Sequence, residues 1–318
     1  NLENVGGYNK HINFAELAIT DAQYYLAIKE YDSAASHHFL FCNDRYNKAV
    51  CEALLGKNKE CSDNLRYLLE KGLEDTIIHK NTAFRKFLRS KEGKNLVKSK
   101  IELTYNVKLR AVYDSLLYED QCLRLQIPYG DSIRRVDSSN VFKMNRLIEE
   151  FGWPTDDLIG NLDFSDEVFS IIINHQRNPR TRVYDYTKDL YYAYGNGEIE
   201  VHDAAWLIEL LEGSNKYFVN TSGIVTVVLD SLNSSNRQNI ENFTHVTGFL
   251  KLSDESLKMY NSNRALFGLE SIEDFRNKLL YFSKDKRFSI AGKGWFSTYQ
   301  FSSLEDYNYA SGKIDECL

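Results

Sequence analysis

Four residues of this chain have the side chains and spacing to do chemistry: His175, Asp120, Gln121 and Arg124. His175 ends the apolar run Val168-Phe169-Ser170-Ile171-Ile172-Ile173, and an imidazole there can act as a general base near neutral pH. Asp120 and Arg124 lie one helical turn apart, with Gln121 beside them, so they can orient such a base. The same residues have an architectural alternative. His175 can close the C-terminal end of its own helix by bonding a carbonyl there. Asp120, Gln121 and Arg124 can tie a long helix to the Gly152-Trp153-Pro154 turn through hydrogen bonds. In either version the polar groups are expected to meet, because burying them apart costs free energy. A catalytic cluster opens to a pocket, whereas an architectural one, the version expected here, is saturated with hydrogen bonds and closed to solvent.

Other chemistries find little support. His37 and His38 are adjacent and point about 100° apart on a helix, a poor arrangement for one metal. The chain has no HExxH, GxSxG, GxxxxGK[ST] or GxGxxG motif, and Gly292-Lys293-Gly294 is too little for a phosphate loop. Cys42, Cys51, Cys61, Cys122 and Cys317 are odd in number and form no CxxC, so they read as core thiols. No metal site and no cofactor is expected. Between Arg85 and Lys100, seven basic residues face one acid, a net +6 in a chain of −6, so the remainder carries −12. Without interleaved aromatics the segment reads as a solvated face pairing with the acidic remainder, and specific nucleic-acid binding is not expected.

Helices must position these groups. Asn13 to Cys42 reads as two, the second restarting at Glu30–Ala34, where Asp32 and Ser33 are cap types. Tyr46–Leu55 and Lys59–Lys71 follow, stopped by Gly56 and Gly72. Asn81–Phe84 with Phe87-Leu88 has the look of a short closing helix. Leu96–Leu125 reads as one helix on the order of 45 Å long, ended by Pro128-Tyr129-Gly130. Asp137–Phe151 is the next, with Ser138 and Ser139 as cap candidates, then Ser165–Asn174, Lys188–Tyr194 and Asp203–Leu211. Val225–Leu229 fits a buried strand or a helix start. Ser253–Tyr260 and Ser271–Phe282 are helical, and Phe288–Phe301, with Gly292, Gly294 and Trp295, reads as a loop or hairpin.

Two resemblances follow from these residues. Tyr25 with Tyr31-Asp32-Ser33-Ala34, and Ala49, Ala53-Leu54-Leu55-Gly56, Cys61, Leu65 and Gly72, resemble two tetratricopeptide repeats of about 34 residues. Cys61 replaces the usual small alanine, and the terminal proline is missing from both. From about 100 to 275 the chain resembles a bacterial domain family of unknown function. That likeness is carried by Asp120-Gln121 with Arg124, Asp137, Asn140, Asn145, Gly152-Trp153-Pro154, Ile159-Gly160, Asn174-His175, Arg264 and Gly268-Leu269. The family usually has Gln at Asn174, and different polar residues around Glu209 and Asn220. The resemblance implies no reaction.

Composition sets the frame. With 318 residues, 43% hydrophobic and 13% aromatic, the chain can bury a sizeable core, and disorder is excluded. No apolar run reaches a membrane span. Its first residue is Asn1, and a cleaved signal peptide would favour an exported location, periplasmic or cell-surface, over a cytoplasmic one. The fold class expected is mainly α: tetratricopeptide-like hairpins over residues 1–95 packed on an irregular helical domain over 96–318, with a small β hairpin near the C-terminus. The leading expectation for function is a binding or scaffolding protein whose helical surface takes a protein or peptide. The alternative is a hydrolase-like enzyme with His175 as general base.

Overall fold

The structure is a computed structural model that describes residues 2–124, 131–161, 167–219, 223–229, 245–289, 296–301 and 304–316. It is mainly α-helical, with one small sheet. Two helical hairpins open it: α1 (Leu2–Thr20) with α2 (Tyr24–His37), and α3 (Cys42–Leu54) with α4 (Asn58–Glu70). The first connection falls at Asp21–Gln23, where Ala22 takes φ +55°, and not at Glu30–Ala34. Asp32 and Ser33 lie inside α2 because their side chains are engaged elsewhere. Asp32 accepts from Lys48 Nζ at 2.5 Å, and Ser33 Oγ donates to the Lys29 carbonyl at 3.0 Å. Gly56 and Gly72 close the second hairpin with φ of +71° and +93°, a region favourable to glycine.

The hairpins interlock through Tyr31, Ala34, Ala49, Ala53, Cys61, Leu65 and Leu68. A short helix α5 (Asp75–Lys80), two 3₁₀ turns (Thr82–Arg85 and Phe87–Arg89) and α6 (Lys91–Lys98) follow. The turns bury Phe84 and Phe87 against the same core, which also receives Phe282 and Phe288 from near the C-terminus. Cys42, Cys51 and Cys61 are buried thiols, and burial pushes the Cys51 and Cys61 groups up. Cys122 is half-buried and Cys317 lies outside the described residues.

The single long helix expected from Leu96 is two helices. Ser99 turns extended after α6, and α7 (Val107–Arg124) starts only after Asn106. Tertiary bonds hold the break open. Thr104 N–H donates to the Glu70 carbonyl (2.9 Å) and Asn106 N–H to that of Leu158 (2.9 Å), while Asn106 Oδ1 accepts from Leu109 N–H as a cap. The expected stop at Pro128-Tyr129-Gly130, and the residues Leu125 and Ser165, lie outside the described residues.

The next helix, α8 (Asp131–Phe151), begins six residues before the expected Asp137, so Ser138 and Ser139 are interior and Ser138 Oγ bonds the Arg134 carbonyl. It packs on α7. The short α9 (Asp156–Ile159), α10 (Glu167–Asn174), α11 (Thr187–Asn196) and α12 (Val201–Glu212) complete the second core with α13 (Asp254–Phe267) and α14 (Ile272–Lys284). Trp153 is buried there, its ring edge-on to Phe169 at 5.5 Å.

The sheet is not the hairpin expected at Phe288–Phe301. β1 (Ile224–Leu229) pairs antiparallel with β2 (His245–Leu250) and parallel with β3 (Phe296–Phe301), and β4 (Ile314–Glu316) joins the far side of β2. Val225 and Val227 turn inward to meet Tyr307 of α15 (Leu304–Ser311) and Ile314, while Thr226 bonds Thr247 on the other face at 3.0 Å. Gly292, Gly294 and Trp295 lie outside the described residues.

A buried charge network joins the start of the chain to its far end. Lys278 of α14 lies between Glu16 of α1 (2.6 Å) and Glu270 (3.0 Å), and His202 of α12 reaches the same Glu270 oxygen at 3.0 Å. Burial alone would lower the Lys278 pKa, but the two carboxylates outweigh it and hold the ammonium charged.

Candidate functional site

The candidate residues meet where α7, α8 and α10 converge. Asp120 is on the inward stripe of α7 and is 1% exposed, with Gln121 Nε2 donating to its Oδ2 at 2.6 Å. One turn on, Arg124 Nε donates to the same Oδ2 at 3.3 Å. Its Nη2 forms an ion pair with Asp137 Oδ1 from α8. His175 follows the last residue of α10, and its Nδ1 lies 3.1 Å from Asp120 Oδ1 and 2.9 Å from Arg124 Nη2. All four sequence candidates are therefore in one cluster.

The architectural roles read from the sequence are not the ones realised. The described hydrogen bonds of the His175 ring run to α7, not to a carbonyl of its own helix. Asp120 and Arg124 reach Asp137 and His175, and the Gly152-Trp153-Pro154 turn is secured separately through Trp153 on Phe169.

Asp137 is the member that the sequence reading passed over as a site residue. With the helix taken to start there, it looked like a terminal residue. In α8 it shares the inward stripe with Ile133, Asn140, Val141 and Met144. An acid on an apolar stripe at spacing i, i+4 was the signal available. Two further oxygens near these positions in sequence, Asn140 Oδ1 and Asn174 Oδ1, are buried without a partner among the described residues. Glu209, read from the sequence as a departure from a family pattern, is buried and accepts from the backbone N–H groups of Tyr217 and Val219 (3.0 Å for the latter), so it holds a loop. Asn220 lies outside the described residues.

The electrostatics separate the two carboxylates. Burial raises the Asp120 pKa, but the bonds and charges of His175 and Arg124 outweigh this and leave it below the ordinary value. At Asp137 burial prevails over Arg124 and His175, and its pKa is raised. Asp120 is thus the firmly ionised acceptor facing His175 Nδ1. With Nδ1–H donating to Asp120, the Nε2 lone pair is left for another proton. The His175 side chain is 20% exposed, and Nε2 has no partner among the described residues. The same holds for Arg124 Nη1, which leaves two N–H donors beside the imidazole.

One ligand atom from each of Asp120, Asp137 and His175 falls within 4.8 Å of the others, close enough to surround a metal ion. Sequence reading expected no such set, because its members are far apart along the chain and lie on separate helices. The Arg124 guanidinium lies within hydrogen-bond distance of all three residues, so guanidinium and ion would compete for one place.

No family model matches this chain, and neither does any curated protein or any solved structure.

Proposed function

We propose that this chain is a hydrolase-like enzyme with the Asp120–Arg124–Asp137–His175 cluster as its reacting centre. One observation carries the reading: His175 is fastened to a buried carboxylate through Nδ1, while Nε2 is unpartnered among the described residues on a partly open side chain. An architectural histidine would be sealed and saturated instead. In the proposed reaction Nε2 takes a proton from water as the water oxygen bonds to the ester centre, Asp120 stabilises the imidazolium that forms, and the imidazolium returns the proton to the alcohol oxygen as its bond to that centre breaks. The Arg124 Nη1 donors are placed to hold the oxygen on which charge develops. Hydrolysis of a panel of chromogenic carboxylic, phosphoric and sulfuric esters tests this. A wild-type rate that falls about 10²–10⁴-fold in His175→Gln is the expected result. Hydrolysis unchanged by His175→Gln and by Asp120→Asn would refute it.

A second reading, peptide binding by the hairpins, is favoured by one observation. Phe14, Tyr25, Leu26, Phe39 and Leu55 are exposed on or between α1–α4, a concentration of large apolar side chains. Panning a random peptide library on the full chain, with counter-selection on Tyr25→Ala/Leu26→Ala, would reveal a binding sequence that depends on this surface.

A further inference from the structure

Among the described residues the basic segment makes a single ion pair with the acidic remainder, far less than its sequence suggested. Arg85, Lys86, Arg89, Lys91, Lys94, Lys98 and Lys100 are all exposed. Among the described residues their one ion pair is Lys100–Glu102, at 3.6 Å between two side chains that are almost fully in solvent. The fold produces this by sorting the segment by polarity. Ala83, Phe84, Phe87, Gly93 and Leu96 turn inward, and every cation turns out. The 3₁₀ turns and α6 are pressed together at Gly93, where an added Cβ would fall 2.2 Å from the Phe87 carbonyl oxygen. Their cations therefore share one region of surface. Just before the segment in sequence, Lys80 and Thr82 line a shallow groove of about 640 Å³ together with Lys284, Lys286 and one acid, Asp285. Cations some 200 positions apart in sequence thus converge.

Within the basic segment and just past it stand two apolar side chains, Val97 (56% exposed) and Leu103 (49% exposed). We propose that this surface docks the protein on an anionic lipid bilayer. Clustered lysines and arginines are drawn to a negatively charged leaflet, and short apolar side chains among them enter the headgroup layer. The net −12 outside the segment disfavours a polyanion that reaches well beyond it. A planar surface requires only one side, whereas a flexible nucleic-acid strand would seek stacking partners. Phe87, the aromatic of the segment, and Phe84 just before it are fully buried.

Co-sedimentation of the full chain with phosphatidylcholine vesicles containing about one-third phosphatidylglycerol tests the proposal. The chain should pellet with these vesicles at low salt, stay in solution with pure phosphatidylcholine, and be released by high salt. Lys94→Glu/Lys98→Glu should weaken the binding more than about tenfold. Val97→Ser should weaken vesicle binding and leave retention on heparin, a soluble polyanion, unchanged. All three positions are exposed, so circular dichroism should show an intact fold. No pelleting with anionic vesicles would overturn the proposal. So would binding to duplex DNA that exceeds vesicle binding, or a Val97→Ser variant that pellets like wild type.

Discussion

Arg124 Nη2 lies 2.9 Å from His175 Nδ1, an atom that Asp120 Oδ1 also reaches at 3.1 Å. A single ring nitrogen cannot donate to a carboxylate and accept from a guanidinium at once. The ionised Asp120 should win, because Arg124 has Asp137 as a second acceptor. Nitrogen-15 spectra of the neutral ring should therefore show His175 with its proton on Nδ1 and a bare Nε2. In Asp120→Ala the acceptor is gone, Arg124 donates into Nδ1, and the proton should move to Nε2. A wild-type spectrum with the proton already on Nε2 would remove His175 as the base.

Arg124 and a metal ion compete for the same three side chains. Without the guanidinium, Asp120 and Asp137 are two uncompensated carboxylates facing an imidazole. Arg124→Ala should consequently gain thermal stability when Zn²⁺ or Mn²⁺ is added, as any ligand of the native state confers. The wild-type melting temperature should stay where it is. No response from the variant would show that the three side chains hold their places only around Arg124.

Helix existence was largely legible in the sequence, because periodic burial of apolar residues dominates each helix. Boundaries set by tertiary bonds were not. The break after α6 depends on the Glu70 and Leu158 carbonyls, groups distant in sequence that accept from Thr104 and Asn106. Parallel pairing of β3 with β1 was equally invisible, since nothing local at Phe296–Phe301 selects a partner 72 positions earlier. In the site, Asp120, Gln121, Arg124 and His175 stood out as polar residues beside apolar ones. Asp137 was masked by the misplaced start of its helix.

Trp153 is buried against Phe169, yet its indole N–H is buried with no acceptor among the described residues. Trp153→Ala should cost about 3–5 kcal/mol through the cavity it leaves. Trp153→Phe should cost less than half as much, because it discards an unsatisfied donor and retains most of the ring. Urea denaturation of both variants gives the comparison, and equal losses would assign the indole nitrogen a bond of its own.

Glu52 links pH to stability. Burial pushes its carboxyl up from 4.5 to about 7, even though Asn64 donates to it at 2.8 Å. The folded state therefore holds a proton that the unfolded chain releases. The resulting stabilisation is complete below about pH 4.5 and is lost as pH rises through about 7. The amount is on the order of 3 kcal/mol. Asp44, raised by burial and by Glu16, acts in the same direction. Urea midpoints measured across this range should fall with rising pH in wild type and fall less in Glu52→Gln. Parallel profiles would exclude Glu52 as a source.

The Glu16–Lys278 bond spans 262 positions and therefore has a consequence during synthesis. α1 leaves the ribosome well before the ammonium that neutralises its inward carboxylate, which is translated 262 positions later. At about 5–20 residues per second the delay is on the order of 10–50 s. Throughout that interval the nascent hairpins lack Lys278, Phe282 and Phe288, and an unpaired Glu16 makes closing their core unfavourable. The hairpins α1–α4 should thus settle only once α14 has emerged, so that synthesis of a distant helix becomes a condition for the earlier ones to close.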